Sequence, residues 1–299
     1  MPLLAIGELG YAGYPAGVVL DRPAIDLGDL QLGRVDDYGG QWNITAFTGR
    51  GSAPSAVEAS QRTAGHGSWI GGRWWAAKPY SIDVAYEGAT PEDRFAAEAR
   101  LLDAAGLEDT DLVVHEEVPR RTSVVLNGEV VIDPVNACAF TAQVPLLAAD
   151  PFRYALEPYT DDTGLPSQTG GLEWPAAWPA IWDAVTISGV LAVTNDGTQV
   201  SYPLVRVYGP LPDFTLSNPD TGDWLTVDLG ADGESLADGE WLEVDMARQR
   251  VMLLGQSSRR RALRGAFFGL PPGPSAVMFG SSLTNGTAFV EIEGYSAWI

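Results

Sequence analysis

Apolar side chains recur along most of this chain at every second position, in short runs broken by turn residues. Trp42, Ile44 and Ala46 alternate with Asn43, Thr45 and Phe47, and Tyr80, Ile82 and Val84 share one face of the run 78–86. Both have the period of a half-buried strand. Residues 17–20, 27–32, 111–116, 122–126, 130–135 and 137–147 read as further strands, and Asn127-Gly128 between two of them is a hairpin signal. Residues 48–73, rich in Gly, Ser and Ala, break the pattern and predict a long mobile loop, the kind of segment that carries function or serves as an assembly arm. One stretch has the helical period instead. Thr90 is placed as N-cap, Pro91 at the first helical position and Asp93 to complete a capping box. The helix body runs to Ala105 with Phe95, Ala99 and Leu102 on one stripe, and Gly106 follows as the stop.

The second half is denser. Strand patterns at 185–193, 203–209, 214–218, 224–229, 241–246, 250–254, 276–279 and 287–292, with turns at Asn195-Asp-Gly197 and Asn285-Gly286, predict an antiparallel sandwich. Between the halves, 158–171 is polar and turn-rich, and the stretch from Trp174 to Trp182 is rich in Trp and Pro. The reading is a mainly β chain of two domains, 1–155 and 156–299, with 156–184 as a turn- and Trp/Pro-rich connection.

Composition narrows the function classes. The chain has 299 residues, 45% of them hydrophobic, and a formal charge of −21, which repels nucleic acid and anionic lipid. No run approaches the ~18 apolar residues of a membrane span. The first residues, Met-Pro-Leu-Leu-Ala-Ile-Gly-Glu, lack the basic region and apolar core of a signal peptide, so synthesis in a cytoplasm is expected. The one cysteine, Cys138, reads as a small buried strand residue.

Candidate chemistry is sparse. His66 sits between glycines and His115 beside Glu116 and Glu117, without the spacing of a zinc or iron site. No nucleophile elbow, P-loop or dinucleotide fingerprint occurs, so neither an enzyme nor a cofactor is expected. The tryptophans are the other candidates: Trp174, Trp178, Trp182, Trp224 and Trp241 suit either sugar stacking or subunit interfaces. Charge is also patterned. Residues 213–245 hold acids and no Lys or Arg, whereas 248–264 hold arginines and no acid. Neighbouring strands can pair these charges; in a closed ring, Asp238 and Asp245 of one copy would instead meet Arg259, Arg260 and Arg261 of the next.

The order of short motifs in the last third resembles the carboxy-terminal domain of siphophage distal tail proteins (Dit). Pro203-Leu-Val-Arg-Val-Tyr-Gly-Pro210 is similar to the family's opening strand; Ala237-Asp-Gly239, Val244-Asp245, Arg250-Val251, Phe268, Leu270 and Pro272-Gly273 follow in family order. Pro274-Ser275 departs from the Asn that often follows that Pro-Gly. Upstream, Ala149-Asp-Pro-Phe-Arg-Tyr154 resembles the end of the family's first domain, and His66-Gly67-Ser68-Trp69 a His-Gly-Trp pattern within it. The resemblance implies a tail-tube-like N-terminal β-sandwich with one flanking α-helix, closing into a homo-hexameric ring, and a galectin-like antiparallel β-sandwich outside it. It implies a virion protein of the phage tail tip, contacting the tail tube protein, the tail hub protein and the tape-measure protein, with DNA passing the lumen unread. Two rivals stand beside it: a carbohydrate-binding accessory tail protein contacting a host cell-wall glycan, and a wall-degrading enzyme.

Overall fold

The computed structural model describes residues 24–169, 185–187, 189–283 and 286–299. Contacts divide the chain into two compact units, 1–156 with Ile299, and 157–298. Strands dominate both.

The first unit comprises β1 (Ala24–Leu27), β2 (Leu30–Leu32), β3 (Gln41–Thr48), β4 (Ser55–Gln61), β5 (Ser68–Trp75), β6 (Lys78–Glu87), the helix α1 (Pro91–Ala104), β7 (Thr110–His115), β8 (Arg120–Leu126), β9 (Val131–Pro134), β10 (Ala139–Ala148) and β11 (Arg153–Ala155). Antiparallel pairing runs β2-β1-β7-β8-β10-β6-β3, with β9 on β10 and β11 on β8. β8 and β10 share only Leu126–Leu146 and Val125–Leu147. The sheet therefore has two arms, and their buried faces meet in one core: Ile25, Leu112 and Val114 from one, Ile82, Val84 and Val144 from the other. Trp42, Tyr86 and Phe140 pack ring to ring within it.

Several expectations are corrected here. A bulge between Ile44 and Ala46 turns Ala46 out of the face that buries Trp42 and Ile44. The helix has its capping box, with Thr90 Oγ1 accepting from Asp93 N at 3.2 Å and Asp93 Oδ2 from Thr90 N at 2.9 Å. Its buried face is not the expected stripe, however. Ala97, Leu101 and Ala105 enter the core, while Phe95, Ala99 and Leu102 face outward. Small residues at successive turns let the helix lie close to the sheet, a choice that side-chain size alone misleads. Asn127-Gly128 does not close a hairpin: the flanking strands both pair with β10 instead, and Asn127 N donates to Pro145 O at 3.0 Å. Cys138 is half-buried in the bend before β10, where its N–H donates to Asn136 Oδ1 at 2.7 Å.

The second unit comprises β12 (Tyr159–Gly164), β13 (Ser167–Thr169), β14 (Val185–Ile187), β15 (Val190–Asn195), β16 (Leu204–Tyr208), β17 (Asp213–Asn218), β18 (Asp223–Asp228), β19 (Trp241–Asp245), β20 (Arg250–Leu253), β21 (Ser257–Ser258), β22 (Leu263–Gly265), β23 (Gly273–Gly280) and β24 (Phe289–Gly294). They form a sheet β12-β24-β16-β19-β20-β21, a sheet β15-β23-β17-β18-β22, and the pair β13-β14. Strict alternation buries Val205, Val207, Leu242, Val244, Val290 and Ile292 from the first sheet against Leu191, Phe214, Leu216, Leu225, Val277 and Phe279 from the second. This is the antiparallel sandwich that the spacing predicts. Residues 159–164, expected as turn-rich connection, are instead an edge strand. Its polar sequence, Tyr-Thr-Asp-Asp-Thr-Gly, suits a strand with one open edge and hides the period-two signal.

Candidate assembly interface

The segment 48–73, expected as a loop, contains the most exposed regular structure of the first unit. Among the described residues β4 and β5 pair only with each other, from Ser55–Trp75 to Gln61–Ser68, with a bulge between Val57 and Ala59. Val57, Trp69, Ile70, Trp74 and Trp75 supply the β propensity that the Gly, Ser and Ala content conceals. All residues of both strands are exposed or only partly covered, and Trp69, Ile70 and Trp74 stand 65%, 62% and 56% exposed. Arg62 lies 4.7 Å above the Trp69 ring, and His66 is exposed in the connecting turn with Gly65 and Gly67 at positive φ. A lone two-stranded hairpin is marginal in water, and this one offers its large apolar side chains to solvent.

The root of the hairpin is held firmly. Ala76 N donates to Pro54 O at 2.8 Å, and Ala53 is buried. Gly49, at φ +113°, passes so close to Tyr80 that a Cβ there would meet the ring at 2.2 Å. Arg50 Nε lies 3.1 Å from Glu116 Oε1, and Arg153 Nη1 is 3.7 Å from Glu116 Oε2. Beside them Lys78 is 1% exposed, 5.5 Å from the Tyr80 ring, and its Nζ has no hydrogen-bond partner among the described residues. Burial, reinforced by Arg153 and opposed by Glu116, pulls its pKa down to about 8; burial also pushes the Tyr80 hydroxyl up to about 12.

A second exposed apolar stripe lies on α1, where Phe95 and Leu102 project outward and Arg94 covers the Phe95 ring at 4.4 Å. From the same helix, Arg100 Nη2 contacts Asp36 Oδ2 at 2.8 Å. Burial raises the Asp36 carboxyl pKa, but hydrogen bonds from Arg100, Gly40 and Tyr38 outweigh it and leave it lowered. His115 Nε2 lies 2.6 Å from Asp26 Oδ2, a hydrogen-bond distance between neighbouring strands of the sheet. No group of three or more His, Cys, Asp or Glu side chains converges to hold a metal among the described residues, and no helix there is long and apolar enough to cross a membrane.

The residues singled out in the second unit do not converge on one site. Trp174, Trp178 and Trp182 lie outside the described residues. Trp224 is half exposed on the outer face of one sheet, and Trp241 half buried on the other. Asp245 is buried and accepts from Arg248 N at 2.8 Å and Arg250 Nη2 at 3.3 Å. Arg259 Nε donates to Glu234 Oε2 at 2.8 Å, and Arg261 Nη2 is 3.7 Å from Glu234 Oε1. Arg260 covers the Phe267 ring at 4.6 Å, and Asp238 is exposed in its turn. Most of the patterned charge is thus engaged inside the unit. Reasoning from sequence singled out Trp69 only through its motif and missed Ile70 and Trp74, for which the Trp-Ile and Trp-Trp dipeptides were the available signal.

No protein-family model and no curated protein sequence matches the chain. Solved structures do. The phage p2 baseplate in its activated conformation aligns with TM-score 0.48 and 10% identity in its strontium form, covering 91% of this chain and 97% of that one. The SPP1 Dit protein, described as a paradigm of the hub adsorption apparatus of phages infecting Gram-positive bacteria, aligns with TM-score 0.61 and 13% identity, covering 91% of this chain and 98% of that one. The first unit's helix-flanked sheets and the second unit's sandwich together have the fold of SPP1 Dit.

Proposed function

We propose that this protein is a structural component of a long non-contractile phage tail tip: a distal tail adaptor whose copies close into a six-membered ring between the tail tube and the hub. The exposed hairpin β4–β5 carries this reading. It is too small to be stable alone and too apolar to be left in water, and a neighbouring copy in a ring would cover Trp69, Ile70 and Trp74. The outward stripe of Phe95 and Leu102 on α1 would add to the same contact. Likeness in fold to SPP1 Dit supports the assignment. In this reading the first unit forms the ring around the DNA channel and the second is a galectin-like sandwich. The charge of −21 favours DNA sliding past without binding. The tail tube, hub and tape-measure proteins are the expected neighbours, and the protein acts as a scaffold, not a catalyst. Asp238 and Arg260, both exposed, are the charges best placed to meet an adjacent copy, Arg260 while covering Phe267, since Asp245, Arg259 and Arg261 are ion-paired within their own unit.

The test is the mass of the assembled protein. Six copies of 31.9 kDa give about 191 kDa by light scattering, with a central hole in negative stain. A chain that stays monomeric both alone and when mixed with its tail tube and hub proteins would overturn the reading, and so would a strongly basic lumen.

A further inference from the structure

Lys78 is the one lysine among the chain's 18 Lys and Arg side chains, and it is 1% exposed. A guanidinium is a planar fork that cannot lose its charge, whereas an ammonium is a compact charge with three donors. In a protein interior such a charge is costly unless an acceptor meets it. Lys78 Nζ has no hydrogen-bond partner among the described residues. Nor has the hydroxyl of Tyr80, which is 3% exposed two residues along β6. Beyond the adaptor reading, we infer that these two donors belong to a binding site for a small oxyanion, a phosphate or a carboxylate.

Both residues line a hollow of about 380 Å³ at the root of the hairpin β4–β5. That size falls within the ~300–1,000 Å³ of small-ligand sites. Ser52 and Ser81 add hydroxyls to its wall, and Gly49 brings bare backbone to it. The chain has 39 Asp and Glu, yet none is among the lining residues. The hollow therefore offers a cation and hydroxyl donors without a carboxylate to compete for them.

The carboxylates nearby are already engaged. Glu116 is shared by Arg50 at 3.1 Å, Arg153 at 3.7 Å and Arg120 at 3.9 Å. Asp150 accepts from Tyr154 Oη at 2.6 Å and from Phe152 N at 3.0 Å. Four cations thus stand against two carboxylates, a local positive excess in a chain of charge −21. This balance selects the ligand. A cation is repelled, a neutral molecule leaves the ammonium uncompensated, and an oxyanion supplies both the missing charge and acceptors for Lys78 and Tyr80. Burial, reinforced by Arg153 and opposed by Glu116, sets the Lys78 pKa at about 8, so near neutral pH the ammonium is the main form. An anion binds that form, and its affinity falls as pH rises through the folded pKa.

The experiment is calorimetric titration of the full-length protein with inorganic phosphate and with acetate, in zwitterionic buffer at constant ionic strength with chloride as the control. Because Lys78 is the one lysine, protein carrying isotope-labelled lysine gives a single lysine side-chain signal in NMR, which reads the site directly. The expected result is saturable binding with a Kd below about 10 mM, and a shift of the lysine signal with the same midpoint. Acetate, whose own charge is constant there, should bind at least ~10-fold more weakly at about pH 10 than at about pH 7. Lys78→Met should weaken either anion at least ~10-fold, and Tyr80→Phe, which keeps the ring, ~3-fold. Tighter binding of phosphate marks a phosphoryl ligand, and of acetate a carboxylate. Thermal melts show that each variant folds; the lysine signal of the parent and Tyr80→Phe keep the test decisive if Lys78→Met does not. Failure of both anions to bind, a lysine signal that stays in place, or binding unchanged by Lys78→Met would overturn the inference. None of these outcomes bears on ring formation, which the mass measurement reads separately.

Discussion

Lys78→Met is expected to stabilise the protein at neutral pH, against the usual direction of core substitutions. The ammonium is 1% exposed, lacks a hydrogen-bond partner among the described residues, and sits near Arg153. Its pKa falls from 10.5 to about 8. The unfolded chain therefore holds the proton more tightly than the folded one. At ~1.36 kcal/mol per unit, the folded state carries a penalty of about 3 kcal/mol, complete below the folded pKa and gone above the unfolded one. Methionine keeps an unbranched stem of similar volume and removes the charge. The variant should exceed the parent by roughly 2–3 kcal/mol at about pH 7, and its advantage should shrink as pH rises through ~8–10 and vanish only above the unfolded pKa, past about pH 11. Urea unfolding followed by tryptophan fluorescence at a series of pH values reads both quantities, and the comparison with the parent at each pH cancels other titrations. A variant less stable than the parent at neutral pH, or a difference that does not move with pH, would refute the reasoning.

Three further outcomes are expected. Leu101→Ala should cost about 2–5 kcal/mol in the first unit and Leu102→Ala under ~0.5 kcal/mol, because only the former is buried; equal costs in thermal melts would mean the helix sits in another rotation. The double change Trp69→Ser and Trp74→Ser should shift monomer stability by no more than ~0.5 kcal/mol and abolish the ring in light scattering; rings that persist would clear the hairpin of an assembly role. Asp245→Asn keeps the shape of a buried side chain but loses its charge toward Arg248 and Arg250, a cost of about 1–2 kcal/mol that denaturant unfolding at low and high salt would detect.

How much was legible in the sequence depended on how local each cause is. Thr90-Pro91 followed by Asp93 marks a helix start because every group in the capping box lies within four residues, and the box is present. Strands such as 80–84 and 242–244 could be read because both faces are decided by one alternation. The buried side of α1 could not, since Ala97 and Ala105 gain their place from closeness to the sheet and not from their own apolar area. Asn127-Gly128 misled because its partner is chosen at a distance: both flanking strands find β10. The hairpin β4–β5 was masked by composition, its strand formers diluted by Gly71, Gly72 and serines.

The sandwich of the second unit also has an order in time. Its earliest strands pair into the two sheets through its latest: β12 pairs with β24, and β15 with β23, while β16 and β17, which can already pair with β19 and β18, join those edge strands through the same two partners. Asp161 meets Ile292 across the register, so during synthesis at ~5–20 residues per second the first strand waits on the order of 10 s for its mate. Until β23 and β24 leave the ribosome, both sheets are split and apolar edges stand open. Such non-local closure predicts slow folding and a need for chaperone cover on the nascent chain. It also makes premature termination within the last strands far more damaging than most substitutions in the middle of the unit.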